Sequence, residues 1–244
     1  MVTAPPRLAE HDNPDASTIA LFQTAWRTYR KMVDNDYLFH RGAYAALHGF
    51  LVETRDRPFS FLDLACGDAS ASVGALLGTG IGHYHGIDFS GPALELAEKN
   101  LAPLGCPVVL DERDFVEAAS VLHEPVDVAW IGLSLHHLHT ADKRAFMSRM
   151  RGAVSPTGAF LIYENASPDG ETREAWLKRW DDQRPAWPAY TPEEWDAVTA
   201  HVHAADFPET DSTWRRLGRE AGFGKVAELF RAPTDLFRVY SFSS

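Results

Sequence analysis

From Phe59 onward the chain alternates short apolar runs with amphipathic stretches, and this alternation constrains the fold more than any other feature. The runs predict five strands, at Phe59–Leu64, His83–Phe89, Pro107–Leu110, Asp127–Ile131 and Ala159–Tyr163. The amphipathic stretches between them predict helices at Ser70–Leu77, Pro92–Leu101 and Ala141–Ala153. Because alternating strands and helices build a parallel sheet with helices on both faces, the pattern predicts a doubly wound α/β core.

Two further apolar runs close the chain, at Lys225–Phe230 and Leu236–Phe242, after a helix predicted over Trp214–Ala221. Only Arg231–Asp235 separates the two runs, which is too short for a parallel crossover, so they should form an antiparallel pair. The full prediction is a seven-stranded, mostly parallel sheet with an antiparallel last strand.

The segments outside this pattern divide the chain into four parts. Residues 1–58 are predicted to be a mobile arm followed by a helical cover, with one helix starting near Ser17 and another over Tyr37–Thr54. Residues 59–164 form the core. Residues 165–213 interrupt the alternation after strand five with four tryptophans and several prolines, which predicts a helical lid. Residues 214–244 supply the last helix and the closing strands.

Composition excludes several classes of partner. The formal net charge of −11 disfavours binding to a phosphate backbone, so no nucleic-acid partner is expected. No apolar run is long enough to span a membrane, no export signal is visible, and the two cysteines lie in no ligand or disulfide pattern. These observations predict a cytoplasmic protein with no membrane partner, and they do not define its oligomeric state.

The turn after the first strand reads Asp63-Leu-Ala-Cys-Gly67-Asp-Ala-Ser70 and has the features of a ligand-binding loop. Gly67 allows the backbone to approach a ligand closely. Strand two ends in Asp88, where a carboxylate can accept hydrogen bonds from both hydroxyls of a ribose. Asp114 and Phe115 follow strand three, where they can meet an adenine amine and the face of the base. A nicotinamide dehydrogenase fits less well, because a diphosphate needs more glycines and would face Asp68.

Four motifs in this order resemble those of class I S-adenosylmethionine-dependent methyltransferases: Asp63-Leu-Ala-Cys-Gly67, Gly86-Ile-Asp88-Phe-Ser90, Arg113-Asp114-Phe115 and Ser134-Leu-His-His-Leu138. The resemblance implies a Rossmann-like fold, S-adenosyl-L-methionine as the cofactor and S-adenosyl-L-homocysteine as the product. It also implies that Asp63 and the backbone from Ala65 to Gly67 hold the amino-acid part of the cofactor, Asp88 with Phe89 the ribose, Asp114 with Phe115 the adenine, and that Leu133 lies near the sulfonium. Alanines at 65 and 69 replace two of the family's three glycines, which leaves the geometry of the loop open.

Candidate catalytic residues lie after strand four. His136 or His137 could serve as a general base for a hydroxyl or amine acceptor, although both could equally cap the next helix or line the floor of the cofactor site. A metal site is not predicted, since no carboxylate or cysteine partner follows at ligand spacing. From the helical cover, Tyr29 and Arg30 are expected to reach the carboxylate of the cofactor.

The lid should supply the acceptor site, because insertions after strand five lie at the cofactor end of such sheets. Its aromatic and proline residues suit a small, partly apolar molecule, and Trp180, Arg184 and Tyr190 are the predicted contacts. The predicted function is methyl transfer to a small-molecule acceptor by in-line displacement. One alternative is an enzyme like carboxy-S-adenosylmethionine synthase. Another is a non-catalytic cofactor-binding protein, which the joint presence of Asp63, Asp88 and Asp114 disfavours.

Overall fold

The computed structural model describes Thr28, residues 30–122 and residues 124–244. The predicted mobile arm, nearly all of the helix predicted from Ser17, and Tyr29 lie outside the described residues. Residues 30–34 are helical, and helix α1 (His40–Thr54) follows after a turn. The second predicted helix of the cover therefore begins at His40, three residues later than the sequence indicated.

The core contains β1 (Phe59–Leu64), α2 (Ser70–Leu76), β2 (Ile81–Asp88), α3 (Gly91–Leu101), β3 (Val108–Glu112), α4 (Phe115–Ala118), β4 (Val126–Gly132), α5 (Thr140–Ala153) and β5 (Val154–Ser167). The rest of the chain contains α6 (Arg173–Asp181), α7 (Pro192–Ala205), β6 (Glu209–Thr210), α8 (Asp211–Glu220), β7 (Lys225–Arg231) and β8 (Phe237–Ser243). Short 3₁₀ turns lie at Ala102–Leu104, Leu135–His137 and Arg184–Ala186.

These strands form one sheet in the order β3-β2-β1-β4-β5-β8-β7, with β6 paired to β5. Strand β8 is antiparallel to both of its neighbours, β5 and β7, and the other pairings are parallel. The predicted doubly wound, mostly parallel sheet with an antiparallel last strand is confirmed. The predicted count of seven is corrected to eight, because β6 adds two residues beside Ala166 and Ser167.

Side chains from successive residues of the central strands enter two separate apolar cores. On β1, Phe61 belongs to the core shared with α1, α2 and the lid, whereas Leu62 belongs to the core shared with α5 and α8. This division follows from the period of two along a strand, which directs neighbouring side chains to opposite faces. Both faces of the sheet are covered, so the strand ends are the open places for a ligand.

The segment after β5 folds as two helices whose starts are set by local caps. Thr172 caps α6, and Thr191 with Glu194 forms a capping box at the start of α7. The lid also contacts the N-terminal cover. Lys31 Nζ lies 2.7 Å from Glu194 Oε1, and the ring of Tyr37 stacks on that of Trp187 at 4.5 Å between centroids.

Within the described ranges, no helix combines the length and apolar character needed to cross a bilayer. Cys66 and Cys106 are both free thiols.

Close packing of α8 on the sheet gives a first prediction. A Cβ atom built on Gly218 would lie 2.3 Å from Cδ1 of Phe242, a side chain in the core. Gly218→Ala should therefore lower the free energy of unfolding by about 1–3 kcal/mol through overpacking. Gly49→Ala in α1 is the control, since no atom lies within 4 Å of its Cβ position and the helix should gain up to about 1 kcal/mol. Urea unfolding measures the free energy of unfolding of each variant. Equal effects of the two substitutions would contradict the packing argument.

Candidate active site

The loop between β1 and α2 adopts left-handed backbone at every second residue. Ala65 has φ 55°, Gly67 φ 54° and Ala69 φ 55°. The two alanines thus take the conformation that glycine adopts without strain, at a cost of about 1–2 kcal/mol each. The loop follows the path of a three-glycine turn although only one glycine is present.

Asp88 fixes this loop to the end of β2. Its Oδ2 accepts a hydrogen bond from the Gly67 amide at 2.8 Å, and its Oδ1 accepts one from the Ser90 amide at 2.9 Å. Burial raises the pKa of Asp88, and the backbone donors partly offset that effect. Each carboxylate oxygen can accept a further hydrogen bond, which leaves capacity for the two hydroxyls of a ribose.

A cavity of about 450 Å³ lies above this loop, between the carboxyl ends of β1, β2, β4 and β5 and helix α1. Its volume falls in the range of roughly 300–1,000 Å³ that small-molecule sites occupy. A Cβ atom at Gly67 would meet no protein atom within 4 Å. The space over Gly67 is therefore open to a ligand. The backbone of the loop and the carboxylate of Asp88 suit a nucleoside with an amino-acid tail. The lining consists of His40, Tyr44, Ala65, Cys66, Gly67, Asp68, Ala71, Ser72, Asp88, Phe89, Ser90, Ala93, Gly132, Leu133, Ser134 and Tyr163.

Five of the predicted cofactor residues lie together in this lining: Ala65, Gly67, Asp88, Phe89 and Leu133. Phe89 is 75% exposed, so its ring is free to cover a ligand at the cavity mouth. Leu133 follows β4 with a φ of 51°, another left-handed residue. The side chains that the motifs placed at different strand ends are thus brought to one cavity.

Asp63 lies beneath the cavity rather than in its lining. Its Oδ2 accepts a hydrogen bond from Tyr84 Oη at 2.7 Å, and only 2% of the residue is exposed. Burial raises its pKa to about 6, while hydrogen bonds from Ser72 and Tyr84 act in the opposite direction. In this geometry Asp63 links β1 to β2 and α2, and its direct contact with the amino-acid part of the cofactor stays a prediction.

The other predicted cofactor residues also lie outside the lining. Asp114 Oδ1 caps α4 by accepting hydrogen bonds from the amides of Val116 and Glu117. The ring of Phe115 packs edge-on against Phe146 at 5.5 Å. Arg30 has 60% of its side chain exposed and lies 3.9 Å from Asp34. Local capping, packing and solvation account for these three positions.

His136 and His137 also lie outside the cavity lining, and their role as bases stays a prediction. His136 is buried, and its Nδ1 lies 2.8 Å from Oε2 of Glu164. Burial opposes a charge on His136, but Glu164 and Asp206 outweigh it and raise the pKa of the imidazole. Burial and the neighbouring His136 lower the pKa of His137.

The three residues predicted to contact the substrate make contacts within the lid and with Thr28, and their role toward the acceptor stays a prediction. Trp180 is buried and stacks on Trp176 and Trp195. Arg184 donates hydrogen bonds to the carbonyl groups of Trp187 and Tyr190, and Tyr190 Oη donates to the carbonyl of Thr28 at 2.7 Å. The four tryptophans thus form the core of the lid, and none of them reaches the cavity lining.

Several side chains of the site had no predicted role. Tyr44 and Tyr163 line the cavity, and Tyr163 Oη donates a hydrogen bond to the carbonyl of Leu38. His40 lines the same cavity, and its burial lowers its pKa to about 4, which keeps the imidazole neutral near pH 7. His40 belongs to the helix predicted over Tyr37–Thr54 of the cover, and α1 brings it to the strand ends.

Glu164, at the end of β5, organises the loop after β4. Its Oε1 accepts hydrogen bonds from the amides of Ser134 and Leu135 at 2.8 and 2.7 Å, and its Oε2 accepts one from the His136 amide at 3.1 Å. Burial opposes the charge, yet His136 and these amides lower the pKa of Glu164. The ionised carboxylate therefore holds the loop that carries the β4 side of the cavity.

Comparison with known proteins gives a separate indication of the family and the fold. A family model described as a methyltransferase domain matches residues 61–158, which span β1 to the first part of β5. No curated protein shows significant sequence similarity to the chain. Residues 61–158 thus match a methyltransferase domain, which agrees with the prediction of an S-adenosylmethionine-dependent methyltransferase.

Solved structures confirm the fold. Magnesium protoporphyrin IX methyltransferase from Synechocystis PCC 6803, solved with bound SAH, has a TM-score of 0.62 at 15% identity, covering 91% of this chain and 95% of that one. A SAM-dependent methyltransferase from Leishmania major has a TM-score of 0.56 at 21% identity, covering 83% and 71%. An O-methyltransferase family protein from Burkholderia thailandensis has a TM-score of 0.60 at 19% identity, covering 87% and 59%. The chain thus spans less than two thirds of the Burkholderia protein.

Proposed function

We propose that this chain, a class I S-adenosylmethionine-dependent methyltransferase by its domain and fold, transfers a methyl group to a small-molecule acceptor by in-line displacement. The observation that carries the proposal is the cavity that joins Gly67, Asp88 and Leu133 beneath a wall formed by Tyr44 and Tyr163. A space of about 450 Å³ suits a nucleoside cofactor and the reacting end of a small acceptor.

The cofactor supplies an electrophilic methyl group, and the residues of the chain bind, orient and exclude water. In this proposal Asp88 accepts hydrogen bonds from the ribose hydroxyls, and the backbone from Ala65 to Gly67 meets the amino-acid part. Leu133 packs near the sulfonium. Asp114 and Phe115 follow β3, beside β2 in the sheet, and remain the predicted contacts of the adenine end.

The acceptor side of the cavity carries His40, Tyr44 and Tyr163. Their imidazole and hydroxyl groups can hold a nucleophilic oxygen or nitrogen in line with the methyl group. A pKa of about 4 makes His40 a weak base at neutral pH, so orientation of the acceptor is the role we assign to it. An adjoining hollow of about 710 Å³ shares His40, Tyr44 and Ala71 with the cavity and extends the space beside α1.

Charge supports a small acceptor over a nucleic acid. The formal net charge of −11 repels a phosphate backbone, and the cavity lining carries the acids Asp68 and Asp88 without a lysine or arginine. The unpaired Cys66 and Cys106 agree with the expectation of a reducing, cytoplasmic location, which we keep as part of the proposal.

Cofactor binding gives the direct test. Asp88→Ala should weaken binding of S-adenosylmethionine by roughly 10- to 100-fold, because hydrogen bonds to a charged group contribute about 1.5–3 kcal/mol. Isothermal titration calorimetry measures the change, and circular dichroism confirms that the variant is folded. Asp111→Ala is the matched control, since Asp111 is an aspartate of the neighbouring strand whose side chain contacts His85 at the surface. Equal affinities for wild type and Asp88→Ala would refute the assignment.

Methyl transfer is tested separately. Purified protein incubated with methyl-labelled S-adenosylmethionine and a panel of phenols, amines and carboxylic acids should label at least one small acceptor and release S-adenosylhomocysteine. His40→Ala should reduce labelling while leaving cofactor affinity within about threefold, since its assigned contact is to the acceptor. A co-purified ligand heavier than the cofactor by a carboxyl group would instead favour carboxy-S-adenosylmethionine synthase chemistry.

A further inference from the structure

We propose that His136, His137 and Asp206 form a binding site for one first-row divalent cation, with Zn²⁺ as the expected occupant. The two histidines belong to the 3₁₀ turn after β4, and Asp206 directly follows α7 of the lid. One ligand atom from each residue lies within 4.8 Å of the other two. The site lies beside the methyltransferase cavity, does not depend on the function proposed above, and brings together residues about 70 positions apart in the sequence.

The distances between ligand atoms approach those of a metal centre. His136 Nε2 lies 3.8 Å from Asp206 Oδ1, and His137 Nδ1 lies 3.6 Å from the same oxygen. Ligands at about 2.0–2.1 Å in tetrahedral geometry are separated by roughly 3.3 Å, so these two separations exceed that value by only a few tenths of an ångström. The two histidine nitrogens lie within 4.8 Å of each other, and metal binding would draw them together. The separations from Asp206 Oδ1 are too long for hydrogen bonds, so neither histidine satisfies this oxygen in that way.

Neighbouring groups orient two of the three ligands. Glu164 Oε2 lies 2.8 Å from His136 Nδ1, which places the proton on Nδ1 and leaves the lone pair of Nε2 directed at Asp206. A carboxylate that accepts from the outer nitrogen of a histidine is the usual support of a metal-bound imidazole. Asp206 is held in turn by Asn165 Nδ2, which donates to Asp206 Oδ2 at 2.8 Å.

The remaining oxygen of Asp206 points to a missing ligand. Asp206 is 4% exposed, and its Oδ1 has no hydrogen-bond partner in the part of the chain that the structure describes. A buried carboxylate oxygen without a partner is unfavourable, and a cation at this position would satisfy it.

Formal charge agrees with a divalent ion. Three carboxylates, from Glu164, Asp206 and Glu209, surround the single ammonium group of Lys143. When a metal is bound both imidazoles are neutral, and the cluster then carries two negative charges, which one divalent cation balances.

The ligand set selects the class of ion. Two imidazoles and one carboxylate suit Zn²⁺ and its first-row neighbours better than Mg²⁺ or Ca²⁺, which prefer oxygen ligands. Three protein ligands leave one coordination position, and the side chain of His137 is 40% exposed, so water can fill it. Metal binding requires His137 to carry its proton on Nε2. That tautomer gives up only the long 3.3 Å contact between Nδ1 and the carbonyl of Ala205.

The test uses protein without a polyhistidine tag, stripped of metal with a chelator and dialysed. We expect calorimetry to show one Zn²⁺ bound per chain, and Co²⁺ to give the visible absorption of a site with imidazole ligands. His137→Ala and Asp206→Asn should each weaken Zn²⁺ binding by roughly tenfold or more. His137→Ala alters a half-exposed residue and is expected to stay folded, which circular dichroism verifies.

His203→Ala is the matched control. His203 is 43% exposed on α7 and pairs with an aspartate, Asp181, at 2.9 Å, but it lies outside the proposed ligand set. Its substitution should leave Zn²⁺ affinity unchanged. Absence of Zn²⁺ binding to the wild type, or equal affinity in wild type and His137→Ala, would overturn the proposal and leave the cluster as a set of ion pairs. Neither result would affect the tests of cofactor binding and methyl transfer.

Discussion

Glu164→Gln should lower the free energy of unfolding by about 3–5 kcal/mol, the range found when one partner of a buried ion pair is removed. Glu164 is fully buried, and its carboxylate accepts hydrogen bonds from three backbone amides and from His136 Nδ1. An amide in its place keeps one accepting oxygen and turns an NH₂ group toward donors. Either the amides of Ser134 and Leu135 or the two donors of His136 would then face the NH₂ group and lose their acceptor.

Urea unfolding at pH 7 measures this effect, and Glu220→Gln is its control. Glu220 also pairs with positive side chains, Arg144 and Arg216, but all three are exposed, so its substitution should cost no more than about 1 kcal/mol. Because the loop carries Leu133 and Ser134 to the cavity, Glu164→Gln should also weaken cofactor binding, whereas Glu220→Gln should not. Equal losses of stability in the two variants would show that the buried contacts of Glu164 stabilise the protein no more than the exposed ion pairs of Glu220 do.

Asp63→Asn should change how stability depends on pH. Burial raises the pKa of Asp63 from 3.8 to about 6, so the folded chain resists ionisation at this position. Below pH 3.8 the carboxyl is protonated in both states and imposes no penalty. As the pH rises toward 6 the unfolded state ionises first, and the wild type loses stability, by about 3 kcal/mol in total.

The expected result is a difference between variant and wild type that grows with pH. Asp63→Asn should gain stability relative to wild type between about pH 4 and pH 6, and the difference should level off above that range. Tyr84→Phe is the companion variant, because removing the hydroxyl that donates to Asp63 should raise the pKa of Asp63 further and shift the window upward. Urea unfolding from pH 4 to 8 follows the difference, and a constant value across this range would contradict the buried position of the carboxyl.

The core was predictable because apolar runs and glycine turns report local structure. Strand five was predicted at Ala159–Tyr163 but extends over Val154–Ser167. Its last residues include Glu164 and Asn165, polar side chains that normally end an apolar run. They are buried because His136 and Asp206 pair with them. Such pairing joins distant segments, and no window of sequence contains both partners.

The site was predictable in position but not in orientation. Asp63, Asp88 and Asp114 all follow the predicted strands, yet only Asp88 lines the cavity. Asp63 turns toward Tyr84, and Asp114 caps a helix, because both find donors nearby. A motif fixes where the backbone lies, whereas the direction of each carboxylate depends on donors from neighbouring strands and turns.

The partner of the histidines shows the same limit. The sequence indicated no carboxylate near His136 and His137, since Asp206 follows a lid whose path could not be traced from composition. Aromatic content predicted the lid, but its tryptophans pack on one another and do not face the cavity. Apolar side chains show that a segment is covered, and they do not show what covers it.

The contact between Lys31 and Glu194 joins residues 163 positions apart, and it has a consequence for how the protein is made. During synthesis the N-terminal cover leaves the ribosome long before the lid that it contacts. Lys31 and Tyr37 therefore stay without these contacts, with the ring of Tyr37 uncovered, until Trp187 and Glu194 have been translated. The contact between the cover and the lid forms late in synthesis, after β1 to β5 have been made.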